Sequence, residues 1–165
     1  MGKKHRGAAT RALAQLEDAG VAYRVYTYTH SARAKSFGGE AAAQIGGDPA
    51  RMFKTLLVEC EGGEFVVACV PVTAHLSLKL VAKAAGHKNA QMADPAVAQR
   101  RTGYVVGGIS PLGQTTTHRT FIDASARGFD EILVSGGKRG MSVGVAPDDL
   151  AKLTGAEFVD IEAID

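Results

Sequence analysis

The segment 55–70 constrains the fold of this chain more than any other part of the sequence. Apolar side chains alternate with other residues along 55–60 and again along 65–70, and Gly62 and Gly63 stand between the two runs. Alternation with a period of two is typical of β-strands, and a glycine pair between two such runs is typical of a hairpin turn. The sequence therefore predicts a β-hairpin over 55–70.

The two cysteines of the chain both lie in this hairpin. If Cys60 pairs with Phe65, then Cys69 pairs with Leu56, and the two sulfurs are about 13 Å apart at ~3.3 Å per residue. A disulfide cannot span that distance. We therefore expect two buried thiols in a reducing compartment.

The other segments mix helices and strands without the regular alternation of a Rossmann fold. Caps, proline and glycine predict helices from Thr10 to Gly20, over 39–45, over Leu78–Ala85, from Asp94-Pro95 onward, and from Pro147 through Leu153. Further strands are predicted over 21–28, 121–123, 131–135, 141–145 and 158–161. We expect one mixed α+β domain over 1–165, with 1–7 as a flexible basic end.

Charge and composition exclude several classes of protein. The chain has 19 basic and 17 acidic residues, a net charge of +2, which is unlike a protein that grips nucleic acid over a broad basic surface. No apolar run approaches the ~20 residues of a membrane helix, and the start is not a secretory signal. The two cysteines and five histidines show no metal-ligand spacing. We expect a cytoplasmic protein with no metal, no cofactor, no membrane contact and no DNA partner.

Positive charge is nevertheless concentrated in one stretch. Between residues 79 and 101 the only acidic residue is Asp94. The basic residues there are Lys79, Lys83, Lys88, Arg100 and Arg101. Such a stretch either contacts phosphates or is the solvated face of a helix, and the sequence leaves both open.

Two glycine-rich segments, 107–113 and 135–140, fit neither the phosphate-binding loop of nucleotide hydrolases nor the dinucleotide fingerprint. Glycines let backbone N–H and C=O groups approach a ligand closely, but they also form ordinary tight turns. The sequence is consistent with either role. These segments are candidates for recognition of a ligand by the main chain.

Lys54 stands inside the apolar run 52–58, so its charge must reach water, a partner or a ligand. A lysine at a surface edge of the strand would satisfy the same requirement. Ser110 and Ser135 lie outside the nucleophile motif Gly-x-Ser-x-Gly, and no pair of carboxylates is evident. The sequence thus offers no conventional catalytic apparatus.

Several of these segments together resemble the YbaK/EbsC family of aminoacyl-tRNA deacylases, in the family's order and from about Thr10 to Asp160. They are 53–58, Met92-Ala93-Asp94-Pro95, Thr102-Gly103-Tyr104, 107–113 and 135–140. The resemblance implies a barrel-like mixed β-sheet surrounded by helices. It also implies hydrolysis of the ester that joins a wrong amino acid to the 3′ CCA end of a tRNA, with cysteine on tRNA(Pro) as the preferred substrate.

The resemblance further implies a site. Lys54 matches the essential lysine, which would lie against phosphate and ribose, and Gly107 begins the Gly-x-x-x-Pro loop that would hold the aminoacyl group. The remaining substrate-binding positions are Gly108, Ile109, Ser110 and Pro111 of that loop, together with Tyr28, Phe37, Thr55 and Ser135. One position departs from the pattern, because Ser142 stands where the resemblance leads us to expect an acidic residue.

The resemblance also offers a reason why the sequence shows no conventional catalytic residues. A cysteinyl ester carries its own thiol, so positioning of that thiol against the carbonyl can replace a protein nucleophile. Two alternatives remain open at this point. One is a deacylase for Ala-tRNA(Pro) or Ser-tRNA, and the other is an adaptor that binds tRNA or a synthetase without chemistry. Prolyl-tRNA synthetase is an expected partner for the choice of tRNA.

Overall fold

Helices and strands follow one another irregularly in the structure, a computed structural model that describes residues 9–29 and 37–164, without the side chains of 37–40. The helices are α1 (Arg11–Ala19), α2 (Phe37–Ile45), α3 (Leu78–Ala85), α4 (Pro95–Thr102) and α5 (Pro147–Thr154). The strands are β1 (Tyr23–Thr27), β2 (Phe53–Cys60), β3 (Phe65–Pro71), β4 (Ala90–Met92), β5 (Arg119–Asp123), β6 (Ile132–Lys138), β7 (Met141–Val145) and β8 (Glu157–Val159). The predicted basic end 1–7 lies outside the described residues.

The strands form two sheets. One has five strands in the order β4-β2-β3-β5-β8, with β3, β5 and β8 parallel, and the other has three antiparallel strands in the order β1-β7-β6. An isolated parallel bridge between Met52 and Leu133 joins them. The mixed α+β class is confirmed, but within the described residues the two sheets do not close into a barrel.

The predicted hairpin is present as β2 and β3, and its predicted register is wrong by one residue. Phe65 lies opposite Glu59 rather than Cys60, and Cys69 therefore lies opposite Thr55. The reason is the turn, because the N–H of Cys60 donates to the carbonyl of Glu64 at 2.7 Å and places Cys60 at the end of the paired segment. Alternation indicates which face a residue takes, and it leaves the number of residues in the turn undetermined. Both thiols are buried and unpaired.

The ends of the helices follow the predicted caps. The N–H of Leu13 donates to the hydroxyl of Thr10 at the start of α1, and Gly20 ends that helix. The N–H of Ala96 donates to the carboxylate of Asp94 at the start of α4. Such caps satisfy N–H groups that have no partner inside the helix, so they are local signals that a sequence shows directly.

The core has two parts, one on each face of the five-stranded sheet. One part packs α3 against the sheet through residues such as Val58, Val81 and Phe121. The other lies where β6, β7, α1 and α5 pack against the opposite face of this sheet, and it includes Leu16, Leu112 and other buried apolar residues. No helix in the described part of the chain combines the length and apolar character needed to cross a membrane.

A buried carboxylate attaches the last residues of the chain to this core. Asp123 is 3% exposed and accepts hydrogen bonds from the N–H of Ile161 at 3.0 Å and of Ser125 at 3.2 Å. Burial would raise the pKa of Asp123, but hydrogen bonds from the Glu162 carboxyl, Ser125 and Ile161 outweigh it and hold that pKa below its usual value. The N–H of Ala163 then donates to the carbonyl of His75, so the attached segment supports the loop between β3 and α3.

We expect Asp123→Ala to lower the free energy of unfolding by about 3 kcal/mol, because it leaves buried donors without an acceptor. Urea denaturation at neutral pH measures this loss. Asp160→Ala is the matched control, since Asp160 is an exposed carboxylate of the same segment. Its replacement is expected to change the unfolding free energy by less than about 0.5 kcal/mol. Equal losses in the two variants would contradict the role given to Asp123.

Candidate active site

A cavity of about 530 Å³ lies between the two sheets. Its walls come from β2, from the segment 92–98 around the start of α4, from the glycine segment at 106–109, and from β6 and β7. The volume is within the range of pockets that bind small molecules or the end of a larger one. Most of the lining side chains are apolar, so the few polar groups there fix what the cavity recognises.

The cavity lies along an open edge of β2. The neighbouring strand β4 pairs only with the residues from Val58 to Cys60, and the carbonyl of Leu57 accepts one further bond from the N–H of Ala93. Residues two apart along a strand direct their backbone groups to the same side. The backbone of Thr55 therefore faces the same side as that of Leu57, toward the cavity and away from β3.

Lys54 contributes the only ammonium group among the described residues that line the cavity. The side chain is half-buried, and burial lowers its pKa from the ordinary value for lysine. Within the described residues no carboxylate lies within salt-bridge distance of Lys54. The position thus presents to the cavity a partly buried positive charge that no described carboxylate neutralises.

The first glycine-rich segment forms one wall, with Val106, Gly107 and Ile109 lining the cavity. Gly107 has a φ of +89°, a conformation that residues with a side chain rarely adopt. Gly108 lies against the backbone of β6, where a Cβ atom would stand 2.8 Å from the Cα of Lys138. The positive φ at Gly107 and the close approach at Gly108 together explain why the segment carries two consecutive glycines.

Hydroxyl groups also line the cavity. Ser135 of β6 and Ser142 of β7 pair directly across the two strands and both line the cavity. Ser135 accepts a hydrogen bond from the N–H of Gly137 at 3.1 Å. Thr55, also in the lining, has its hydroxyl 3.8 Å from the sulfur of Cys69. The second glycine-rich segment, expected as a loop after a strand over 131–135, is instead a bulged continuation of β6 as far as Lys138.

The structure brings together most of the residues that the sequence predicted for the site. Tyr28, Lys54, Thr55, Gly107, Ile109 and Ser135 all line the cavity. Gly108 and Ser110 are buried in the same segment outside the described lining, and Pro111 lines a second cleft of about 560 Å³ on another side of the loop. Phe37 begins α2, and its side chain lies outside the described residues.

Some lining residues were not predicted. His75 follows β3 and is exposed at the cavity, and Met92, Pro95 and Ala98 form a wall beside β2. In the sequence these residues appear only as a histidine in a loop and as the start of a helix. They reach the cavity through packing between segments that are distant along the chain, which the sequence does not show. No cysteine and no carboxylate occurs among the described lining residues. The described chain also contains no cluster of three or more potential metal ligands.

The basic stretch 79–101 is not a uniform set of cations. The guanidinium of Arg101 stacks 4.3 Å from the ring centre of Phe65, and its Nε donates to His118. Lys79 and Lys83 are exposed on α3, and Arg100 is exposed on α4. Arg101 is therefore engaged inside the fold, while the other positions stay candidates for an external contact.

Comparison with known proteins identifies the family to which this site belongs. Residues 33–153 match the family model described as "Aminoacyl-tRNA editing domain". The chain is 34% identical over 161 residues to "Putative Cys-tRNA(Pro)/Cys-tRNA(Cys) deacylase EbsC" of Enterococcus faecalis, covering 98% of both proteins. It is 25% identical over 115 residues to "Uncharacterized protein YwhH" of Bacillus subtilis, covering 70% of this chain and 73% of that protein.

A solved structure supports the same assignment. The protein described as "Crystal structure of a putative trans-editing enzyme for prolyl tRNA synthetase" superposes with a TM-score of 0.82 at 26% identity, covering 93% of this chain and 96% of that one. The predicted resemblance to the YbaK/EbsC family is thereby confirmed. The chain belongs to the aminoacyl-tRNA editing domain family.

Proposed function

We propose that the protein is a cytoplasmic trans-editing deacylase that removes cysteine from Cys-tRNA(Pro). One observation carries the proposal: Lys54 and Gly107, which are far apart in sequence, line the same mostly apolar cavity. The activity named for the Enterococcus faecalis relative supports the choice of cysteine. The chemistry described below needs no metal or cofactor.

The polar groups of the cavity suit an aminoacyl ester of adenosine. The Lys54 ammonium would lie against phosphate and ribose groups of the terminal nucleotide, since a partly desolvated cation binds anionic oxygen strongly. The backbone of the segment 107–111 would hold the amino acid and its carbonyl. Tyr28, Thr55 and Ser135, which line the same cavity, would contact the same group, and the apolar walls would exclude water from the ester.

The substrate supplies its own nucleophile in this mechanism. The cysteine sulfur attacks the ester carbonyl carbon, and a C–S bond forms as the C–O bond to the ribose breaks. The thiol proton ends on the released ribose hydroxyl, and the cyclic thioester is later opened by water. Holding the two groups together lowers the barrier by proximity. Backbone N–H groups of the glycine segment stabilise the carbonyl oxygen of the ester, which becomes negatively charged as the sulfur attacks.

A panel of mischarged tRNAs tests both the activity and the mechanism. Alanine is cysteine without its sulfur, and serine replaces the sulfur by oxygen. We expect release of cysteine from Cys-tRNA(Pro) to be at least about 100-fold faster than release of alanine or serine from the same tRNA. Faster release of alanine or serine would establish a different specificity and reject the thiol mechanism. No release from any member would reject the deacylase and leave the binding adaptor.

The choice among tRNAs needs a second contact. The cavity is large enough only for the aminoacylated end, which all tRNAs share, so it cannot by itself distinguish tRNA(Pro). We propose that prolyl-tRNA synthetase supplies this selection, in keeping with the description of the similar solved structure. Repeating the panel with Cys-tRNA(Cys), with and without the synthetase, separates recognition of the amino acid from recognition of the tRNA.

A further inference from the structure

The turn between β6 and β7 lies against two walls of the cavity. β6 ends at Lys138 and β7 begins at Met141, which leaves a two-residue turn. The carbonyl of Gly140 in this turn accepts a hydrogen bond from the N–H of Tyr28 at 2.9 Å. On the other side, Gly108 packs directly on the backbone of Lys138. The turn therefore sits between Tyr28 and the glycine segment, both of which contribute to the cavity.

Two exposed cations occupy this turn region. The Nε of Arg139 donates to the carbonyl of Val106 at 2.8 Å, one residue before Gly107. This bond attaches the turn to the cavity wall. Lys138 is exposed, and in the part of the chain that the structure describes no carboxylate forms a salt bridge with it. The backbone of Lys138 is thus held against the cavity wall at Gly108, while the residue itself is exposed and available to an external anion.

We propose that Lys138 contacts a backbone phosphate of the single-stranded 3′ end of the tRNA, an inference that rests on the deacylase function proposed above. When the terminal ribose ester occupies the cavity, the preceding phosphates are covalently joined to it and must run outward past the rim. Lysine and arginine side chains are the usual partners of such phosphates, and these contacts position a nucleic acid without reading its sequence. Lys138 thereby positions the RNA strand whose terminal nucleotide contacts Lys54.

The chemistry of the turn favours RNA over a protein partner. Residues 137–140 are Gly, Lys, Arg and Gly, with no apolar side chain that could form the buried centre of a protein interface. A phosphate contact needs only a charge at the correct distance from the ester. This location also differs from the basic stretch 79–101 that the sequence emphasised, where Arg101 is already engaged by Phe65 and His118.

The test compares two substrates that differ in their phosphates. One is Cys-tRNA(Pro), and the other is 3′-O-cysteinyl-adenosine, which carries the same ester and no phosphate. For Lys138→Ala we expect kcat/KM on the tRNA to fall about fivefold through KM, with no change on the adenosine ester. The slope of log kcat/KM against log salt concentration is expected to become shallower by about 0.7. Lys138→Arg should retain wild-type behaviour on both substrates.

Lys152→Ala is the matched control, because Lys152 is an exposed lysine on α5, a helix that contributes nothing to the described cavity lining. Its kinetics should equal those of the wild type. An equal fall on both substrates for Lys138→Ala, no fall on either, or the same fall for Lys152→Ala would overturn the inference. Failure of the wild type to cleave either substrate would instead reject the deacylase function itself, so the two failures are distinguishable.

Discussion

Replacing Lys54 by methionine is expected to lower the rate of cysteine release from Cys-tRNA(Pro) by at least about 100-fold. Removing one preorganised charged or hydrogen-bonding group from a water-poor site commonly has an effect of this size. Methionine keeps the apolar stem of the side chain and removes the ammonium, so the variant tests the charge and leaves the packing in place. Single-turnover release of labelled cysteine measures the rate, and a thermal melt confirms that the variant folds.

The pH dependence of the same residue provides an independent check. Burial lowers the pKa of Lys54, so the ammonium loses its proton at a lower pH than an ordinary lysine does. Arginine stays charged throughout this range. The rate of the wild type relative to Lys54→Arg should therefore fall as the pH rises through the lowered pKa. A constant ratio, or wild-type activity in Lys54→Met, would remove the charge of Lys54 from the mechanism.

Gly113→Ala is expected to lower the free energy of unfolding by about 4 kcal/mol, the largest stability effect that we predict for a single methyl group. Gly113 has a φ of +65°, and a Cβ atom there would lie 2.5 Å from the carbonyl carbon of Arg11 and 2.7 Å from the backbone nitrogen of Ala12. Left-handed backbone strain costs about 1–2 kcal/mol, and crowding against immobile backbone adds about 1–3 kcal/mol. Urea denaturation measures the sum.

Gly155→Ala separates the two contributions. Gly155 has a φ of +69°, nearly the same as Gly113, but no atom lies within 4 Å of the position that a Cβ atom would take. This control should therefore lose only the strain contribution of about 1–2 kcal/mol. If the two alanine variants lose equal stability, the packing of the glycine segment on α1 is not what requires a glycine at 113.

Local signals predicted the elements of this fold well. Thr10 and Gly20 marked the ends of α1, and Asp94 marked the start of α4, because capping depends on residues within one turn of the helix. The short strand β4 was not predicted, since three residues do not establish an alternation. The hairpin register also differed by one residue, because the turn around Gly62 fixes it and the strand pattern does not.

The candidate site was predictable only in part. The resemblance selected Lys54 and Gly107, and the structure places both in one cavity, although their chemical roles stay predictions. The support behind them could not be predicted from the sequence. The packing of Gly108 on Lys138 joins segments thirty residues apart, and the attachment of Ile161 to Asp123 joins segments even more distant. Such contacts arise from the folded arrangement of whole elements, which neither periodicity nor motifs specify.

The open edge of β2 links catalytic competence to resistance against aggregation. An uncovered strand edge is a template on which another chain can add a strand. Here the backbone of Thr55 on that edge faces the cavity, and the segment 92–98 and the glycine segment form other walls of the same cavity, so the parts that shape the site also limit access to the edge. Loosening these walls would expose the edge as well as the site. The same few residues therefore shape the site and keep this edge of the sheet from pairing with another chain.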